Sequence, residues 1–146
     1  MELLSFLKNK NLFTEEECVI IDGAFEKEAI PKRVIFQKVH GFFDKVFFIE
    51  SGLIRAYYYK EKKDITHFFV DEDYFVAPIN SLFYDRSEPY EWEAIEPCMV
   101  RSIRYDKFLQ LESEYPRLTR VLLDFCIMMI DLLSQKLNLI KFQTAH

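Results

Sequence analysis

Val46-Phe47-Phe48-Ile49-Glu50-Ser51-Gly52-Leu53-Ile54-Arg55-Ala56-Tyr57 holds two β-rich runs around one short turn. Branched and aromatic side chains suit a pleated, half-buried surface. Gly52 permits a tight reversal, so the two runs read as antiparallel neighbours. The same texture extends in both directions. Val34-Ile35-Phe36 lies upstream, and Ile65 to Val70, Glu91 to Ile95, and Met99 to Ile103 lie downstream. Turn-like stretches separate them: Lys38-Val39-His40-Gly41, Lys60-Glu61-Lys62-Lys63 and Asp71-Glu72-Asp73. Strands at this close spacing predict an α+β, mainly β fold built on an antiparallel β-barrel of double-stranded β-helix or jelly-roll type. Pro78 to Tyr84 is too irregular for a strand and reads as a short helix between strands.

Both flanks are helical. Leu3, Leu4 and Leu7 share a face, and Thr14-Glu15-Glu16-Glu17 has the form of a capping box opening a second helix. Val19, Ile20 and Ile21 give that helix an apolar side, and Gly23 reads as its stop. From Tyr105 the pattern is helical again, with Asp106 as the expected N-cap of a short helix. Pro116 opens the last helix, Arg117 to Phe142, which is about 39 Å long at 1.5 Å per residue. Leu118, Leu122, Phe125, Met129, Leu132, Lys136 and Leu139 follow 4-3-4-3 spacing along it. A helix longer than the domain beneath it has apolar surface to spare, so the stripe predicts a homodimer through this helix; the alternative is a core helix covered within one subunit, which Lys136 in the seam favours. The whole of 1–146 reads as one domain: helices over 1–27, strands over 28–104, helices over 105–142.

Composition excludes several function classes. The chain has 146 residues, 50% of them hydrophobic, and a net charge of −5. An acidic balance does not suit a nucleic-acid reader. With 3 glycines there is no Gly-rich phosphate loop. Cys18, Cys98 and Cys126 are an odd, scattered set, which reads as buried free thiols in a reducing, cytoplasmic setting rather than a disulfide frame. His40, His67 and His146 are isolated, with no H-x-H or H-E-x-x-H, so no metal site is expected. No Ser/His/Asp or Cys/His set is evident, which leaves no catalytic residue to name and no enzyme reading. The sequence points to no cofactor. There is no signal-peptide pattern and no apolar run of membrane-spanning length.

A helical lead-in, a small antiparallel barrel with a short internal helix, and one long helix resemble the cyclic-nucleotide-binding-like domain of Crp/Fnr transcription regulators. Val46 to Tyr57 looks like that family's strand-turn-strand signature. Phe69 to Ile79 and Glu88 to Glu96 resemble the segment that carries its phosphate cassette, and the last helix resembles the regulators' dimerising helix. The resemblance spans about residues 10 to 142 and implies a ligand pocket and a homodimer. It also implies a DNA-reading module after the long helix, beginning near Gln143-Thr144-Ala145-His146; DNA contact is expected through that module alone, which this chain does not contain.

The cassette itself departs from the family. The resemblance implies a Gly-Glu pair at the start of the short helix and an arginine before the next strand, together holding a phosphate and a ribose. Here the first stretch reads Val76-Ala77-Pro78-Ile79-Asn80-Ser81, with Ala77 and Pro78 where Gly and Glu belong. The second reads Glu88-Pro89-Tyr90-Glu91 after Ser87, with no arginine and two carboxylates that repel a phosphate. Arg86 stands just outside it. Phe75, Phe83, Tyr84, Tyr90 and Trp92 supply enough rings to line the pocket or to fill it. The expected function is the sensor and dimerisation domain of a Crp/Fnr-like regulator that does not take cAMP or cGMP in the usual way. The alternative is a stand-alone domain that binds a small molecule or a protein and has no DNA-binding role. In either case any small-molecule ligand is unidentified, and no membrane contact is expected.

Overall fold

The computed structural model describes residues 1–144, with side chains through Lys141. Ala145 and His146, where the expected DNA-reading module would begin, lie outside the described residues.

Two helices open the chain, α1 (Leu3–Asn9) and α2 (Glu15–Gly23). The capping box is formed: Thr14 Oγ1 accepts from the Glu17 amide at 3.1 Å, and Glu17 Oε1 accepts from the Thr14 amide at 2.9 Å. Gly23 differs from expectation. It is the last helical residue, the following Ala24 is right-handed, and a Cβ on Gly23 would meet nothing within 4 Å. The end of α2 is instead held by Arg101, which donates to Asp22 Oδ1 at 2.7 Å and to the carbonyls of Asp22 and Phe25 at 2.6 and 2.9 Å. A guanidinium with several fixed donors does the work of a C-terminal cap.

Among the described residues eight strands follow: β1 (Glu26–Ile30), β2 (Ile35–Gln37), β3 (Lys45–Ser51), β4 (Ile54–Lys60), β5 (Lys63–Val70), β6 (Phe75–Val76), β7 (Glu91–Ala94) and β8 (Cys98–Arg104). They do not close into the expected barrel. They form two four-stranded antiparallel sheets, ordered β1-β8-β3-β6 and β2-β7-β4-β5. Side chains from both sheets, Phe47, Ile49, Ile54, Trp92 and Val100 among them, bury into one shared core. β1 begins within the stretch read as helical lead-in. Four of its five residues are exposed, so no alternation marks it in the sequence. The two-residue β6 is too short for any period to show.

β3 explains why Val46 to Ile49 are apolar without interruption. Phe47 and Ile49 point into the core between the sheets, while Val46 and Phe48 point into a second core beneath α1, α2, α4 and α5. A strand covered on both faces has no polar side to present. The remaining helices are α3 (Ile79–Tyr84), α4 (Tyr105–Glu114) and α5 (Leu118–Thr144). The residue preceding α4 is Arg104 rather than Asp106. Asp106 sits in the first turn, where its Oδ1 accepts from the Lys107 amide at 2.8 Å and its charge suits the helix dipole.

Candidate ligand site

A cavity of about 370 Å³ lies between β5, β6, β7, α3 and the middle of α5. Strand residues Val70, Phe75, Val76 and Trp92, with Tyr90 just ahead of β7, form its floor. Ala77, Ile79 and Asn80 form the side nearest α3, and Phe125, Cys126, Met129, Ile130 and Leu133 of α5 form the roof. Phe125 packs edge-on against Phe75 with ring centroids 6.3 Å apart, joining roof to floor.

The sequence-derived cassette does assemble here. Val76, Ala77, Ile79, Asn80, Glu88 and Tyr90 all line the cavity. Pro78 is fully buried ahead of α3, so its missing N–H lies where a helix start needs no donor. Ser81, Pro89 and Glu91 stand behind the wall rather than in it. Pro89 edges a neighbouring groove with His40 and Tyr58, and Glu91 is buried with its carboxylate accepting from the Val39 amide at 3.3 Å. Of the rings considered, Phe75, Tyr90 and Trp92 line the cavity, whereas Phe83 and Tyr84 turn outward and are exposed. Arg86 is exposed as well, with its guanidinium 5.5 Å from the Tyr84 ring.

Glu88 decides the electrostatics. It is 4% exposed, and its Oε2 accepts from the Ser81 amide at 2.8 Å and from Ser81 Oγ at 3.0 Å. Ser81 Oγ in turn accepts from the Phe43 amide at 3.2 Å. A backbone amide in the first turn of α3, the kind of donor that would meet a phosphate, is therefore already bonded to the protein's own carboxylate. Among the described residues, no lysine or arginine lines the cavity.

His67 is a residue that the sequence does not mark. The β4–β5 ladder pairs Ala56 with Phe68 and Tyr57 with Thr66, skipping His67. Such a bulge re-aims the side chain and takes the backbone out of the ladder. The His67 ring stacks flat on Tyr90, with centroids 4.4 Å apart and planes 5° from parallel, and it lines the cavity. The His67 carbonyl accepts a hydrogen bond from Lys136 Nζ of α5. Burial, and then the charge of Lys136, hold the imidazole pKa below its ordinary value. Lys136, a polar break in the apolar stripe, is thus the tie that fastens α5 over the site.

The dimer face read from the sequence divides. Leu118 is buried in the subunit's own core, Leu122 and Phe125 pack against it, and Met129 lines the cavity. Leu132 and Leu139 are exposed. Of the thiols, Cys18 and Cys98 are buried, but Cys126 is exposed on α5 rather than a core residue. Among the described residues no helix is long and apolar enough to cross a membrane.

No family model and no curated protein matches the sequence. Solved structures do match. The catabolite activator protein of Thermus thermophilus superposes with a TM-score of 0.73 at 14% identity, over 90% of this chain and 62% of that one. A cyclic nucleotide-binding domain from Methylobacillus flagellatus gives a TM-score of 0.74 at 16% identity, over 92% of this chain and 78% of that one. A CooA mutant from Carboxydothermus hydrogenoformans gives 0.66 at 18% identity, over 92% and 88%. The chain thus spans less than two thirds of the Thermus protein's length. Two sheets, the short α3 beside the cavity and the long α5 over it together give this chain the fold of the cyclic-nucleotide-binding domains of Crp/Fnr regulators.

Proposed function

We propose that this chain is the sensor and dimerisation domain of a Crp/Fnr-like transcriptional regulator, with a degenerate phosphate cassette that does not take cAMP or cGMP in the usual way. The observation that supports it is that α5 roofs the cavity. Whatever occupies the cavity touches Phe125 and Met129, so occupancy biases the position of the helix. The loss of cyclic-nucleotide binding rests on Glu88, whose carboxylate repels a phosphate and already holds the Ser81 amide.

Dimerisation belongs to the same reading. Leu123, Cys126, Ile130, Leu133 and Leu137 recur at 3-4-3-4 spacing, and all five are exposed; Cys126, Ile130 and Leu133 also border the cavity, so the row runs along its open side. Such a row is a coiled-coil seam when a second copy supplies the facing helix. Leu132 lies beside it. DNA contact, in this reading, belongs to a further module of the whole regulator.

Calorimetry and light scattering test the proposal. We expect no saturable heat from cAMP or cGMP at ligand concentrations up to about 100 μM, and a dimer mass at chain concentrations of about 100 μM. Tight binding of either nucleotide, or a monomer at that concentration, overturns it.

A further inference from the structure

We infer that the cavity binds an uncharged, largely aromatic small molecule of about two or three rings. This rests on the sensor reading and names the class of its ligand. The apolar space of about 370 Å³ is open beside Ile79, Ile130 and Leu133, and it lies within the usual size of ligand pockets. At an interior packing density of about 0.75 it holds roughly 280 Å³ of molecule, which is the bulk of a substituted bicyclic or tricyclic compound.

The walls select for rings and against charge. Phe75, Tyr90, Trp92 and Phe125 present aromatic faces and edges from both floor and roof. An anion meets no lysine or arginine among the described lining residues, and it meets the buried Glu88 carboxylate. A cation gains Glu88 only by drawing it away from the amide and hydroxyl of Ser81. A neutral ring compound disturbs neither arrangement. Its polar substituents have Asn80 at the α3 side.

A matched pair of dyes tests this on the full chain. N-phenyl-1-naphthylamine is neutral; anilinonaphthalenesulfonate has the same ring skeleton with one negative charge. Trp92 is the single tryptophan and lines the cavity, so it reports on a bound dye by energy transfer. We expect saturable, one-to-one binding of the neutral dye with quenching of Trp92, and binding of the sulfonate at least about tenfold weaker. Val70→Phe, and Ala77→Leu as a second filling variant, should weaken the neutral dye at least about tenfold with circular dichroism unchanged. Glu88→Gln should narrow the gap between the two dyes.

Equal affinity for both dyes overturns the proposal, as does failure to quench Trp92. So does binding that both folded filling variants leave unchanged, which would place the dye outside the cavity. If neither filling variant folds, the dye pair and the Trp92 signal still decide. A dimer that ignores the neutral dye removes the ligand class and leaves the sensor reading standing; a monomer that binds the dye does the reverse.

Discussion

Gly52 carries the reversal between β3 and β4 at a φ of +107°, where side chains are strained. A Cβ there would also stand 2.5 Å from Cys98 Sγ and 2.8 Å from Cys98 Cα. Conformation and space thus demand glycine separately. We expect Gly52→Ala to cost about 2–4 kcal/mol, read from urea unfolding midpoints. His67 acts at the same scale through its charge. Its folded pKa lies below the ordinary 6.5, so the unfolded chain takes up the proton first as pH falls. The linked stability is complete above about pH 6.5 and is lost as pH drops through the lower folded value. Lys136 opposes the imidazolium directly, while Tyr90 stacks on the ring and Glu88 lines the same cavity. His67→Phe keeps a ring against Tyr90 and should flatten this part of the stability–pH profile. A profile with the same slope in the variant would show that another group titrates there.

α5 has two faces with different duties, and a pair of substitutions separates them. Leu118 is 2% exposed and packs with Phe108, Leu111 and Val121. Leu118→Ala should lose about 2–5 kcal/mol of stability, the cost of a cavity in a packed core. Leu137 is 60% exposed and touches no core. In the proposed dimer it meets a second copy, so Leu137→Asp should halve the mass seen by light scattering while leaving the monomer's circular dichroism intact. Dissociation by Leu118→Ala with Leu137→Asp silent would exchange the two faces. The stripe at Leu118, Leu122, Phe125 and Met129 was legible as apolar. Its partner was not, because 4-3-4-3 spacing says that a face is buried and not against what.

At the scale of the molecule, the two cores meet across β3, and the cavity lies where the sheets, α3 and α5 come together. Much of this was written locally. The run from Val46 to Tyr57, the Thr14–Glu17 capping box and the length of α5 depend on neighbouring residues in the chain, and local physics suffices to read them. The same is true of the missing glycine and arginine in the cassette, which spoke against a phosphate before any coordinate. What the chain's order conceals is long-range. β1 is nearly all exposed, so no pattern announces it. The bulge that aims His67 at Tyr90 exists only in the pairing of β4 with β5. The link from Lys136 to the His67 carbonyl joins residues 69 positions apart. Glu88 reads in the sequence as a charge hostile to phosphate; the fold makes it the partner of Ser81. Most elements, their order and the residues standing at the cassette positions are legible in the sequence alone, because periodicity, capping and residue chemistry are local. Tertiary structure decided that the sheets stay open as two layers, that half of the long helix's stripe is spent at home, and that an apolar space remains beneath it. Those depend on how non-adjacent surfaces fill the volume between them.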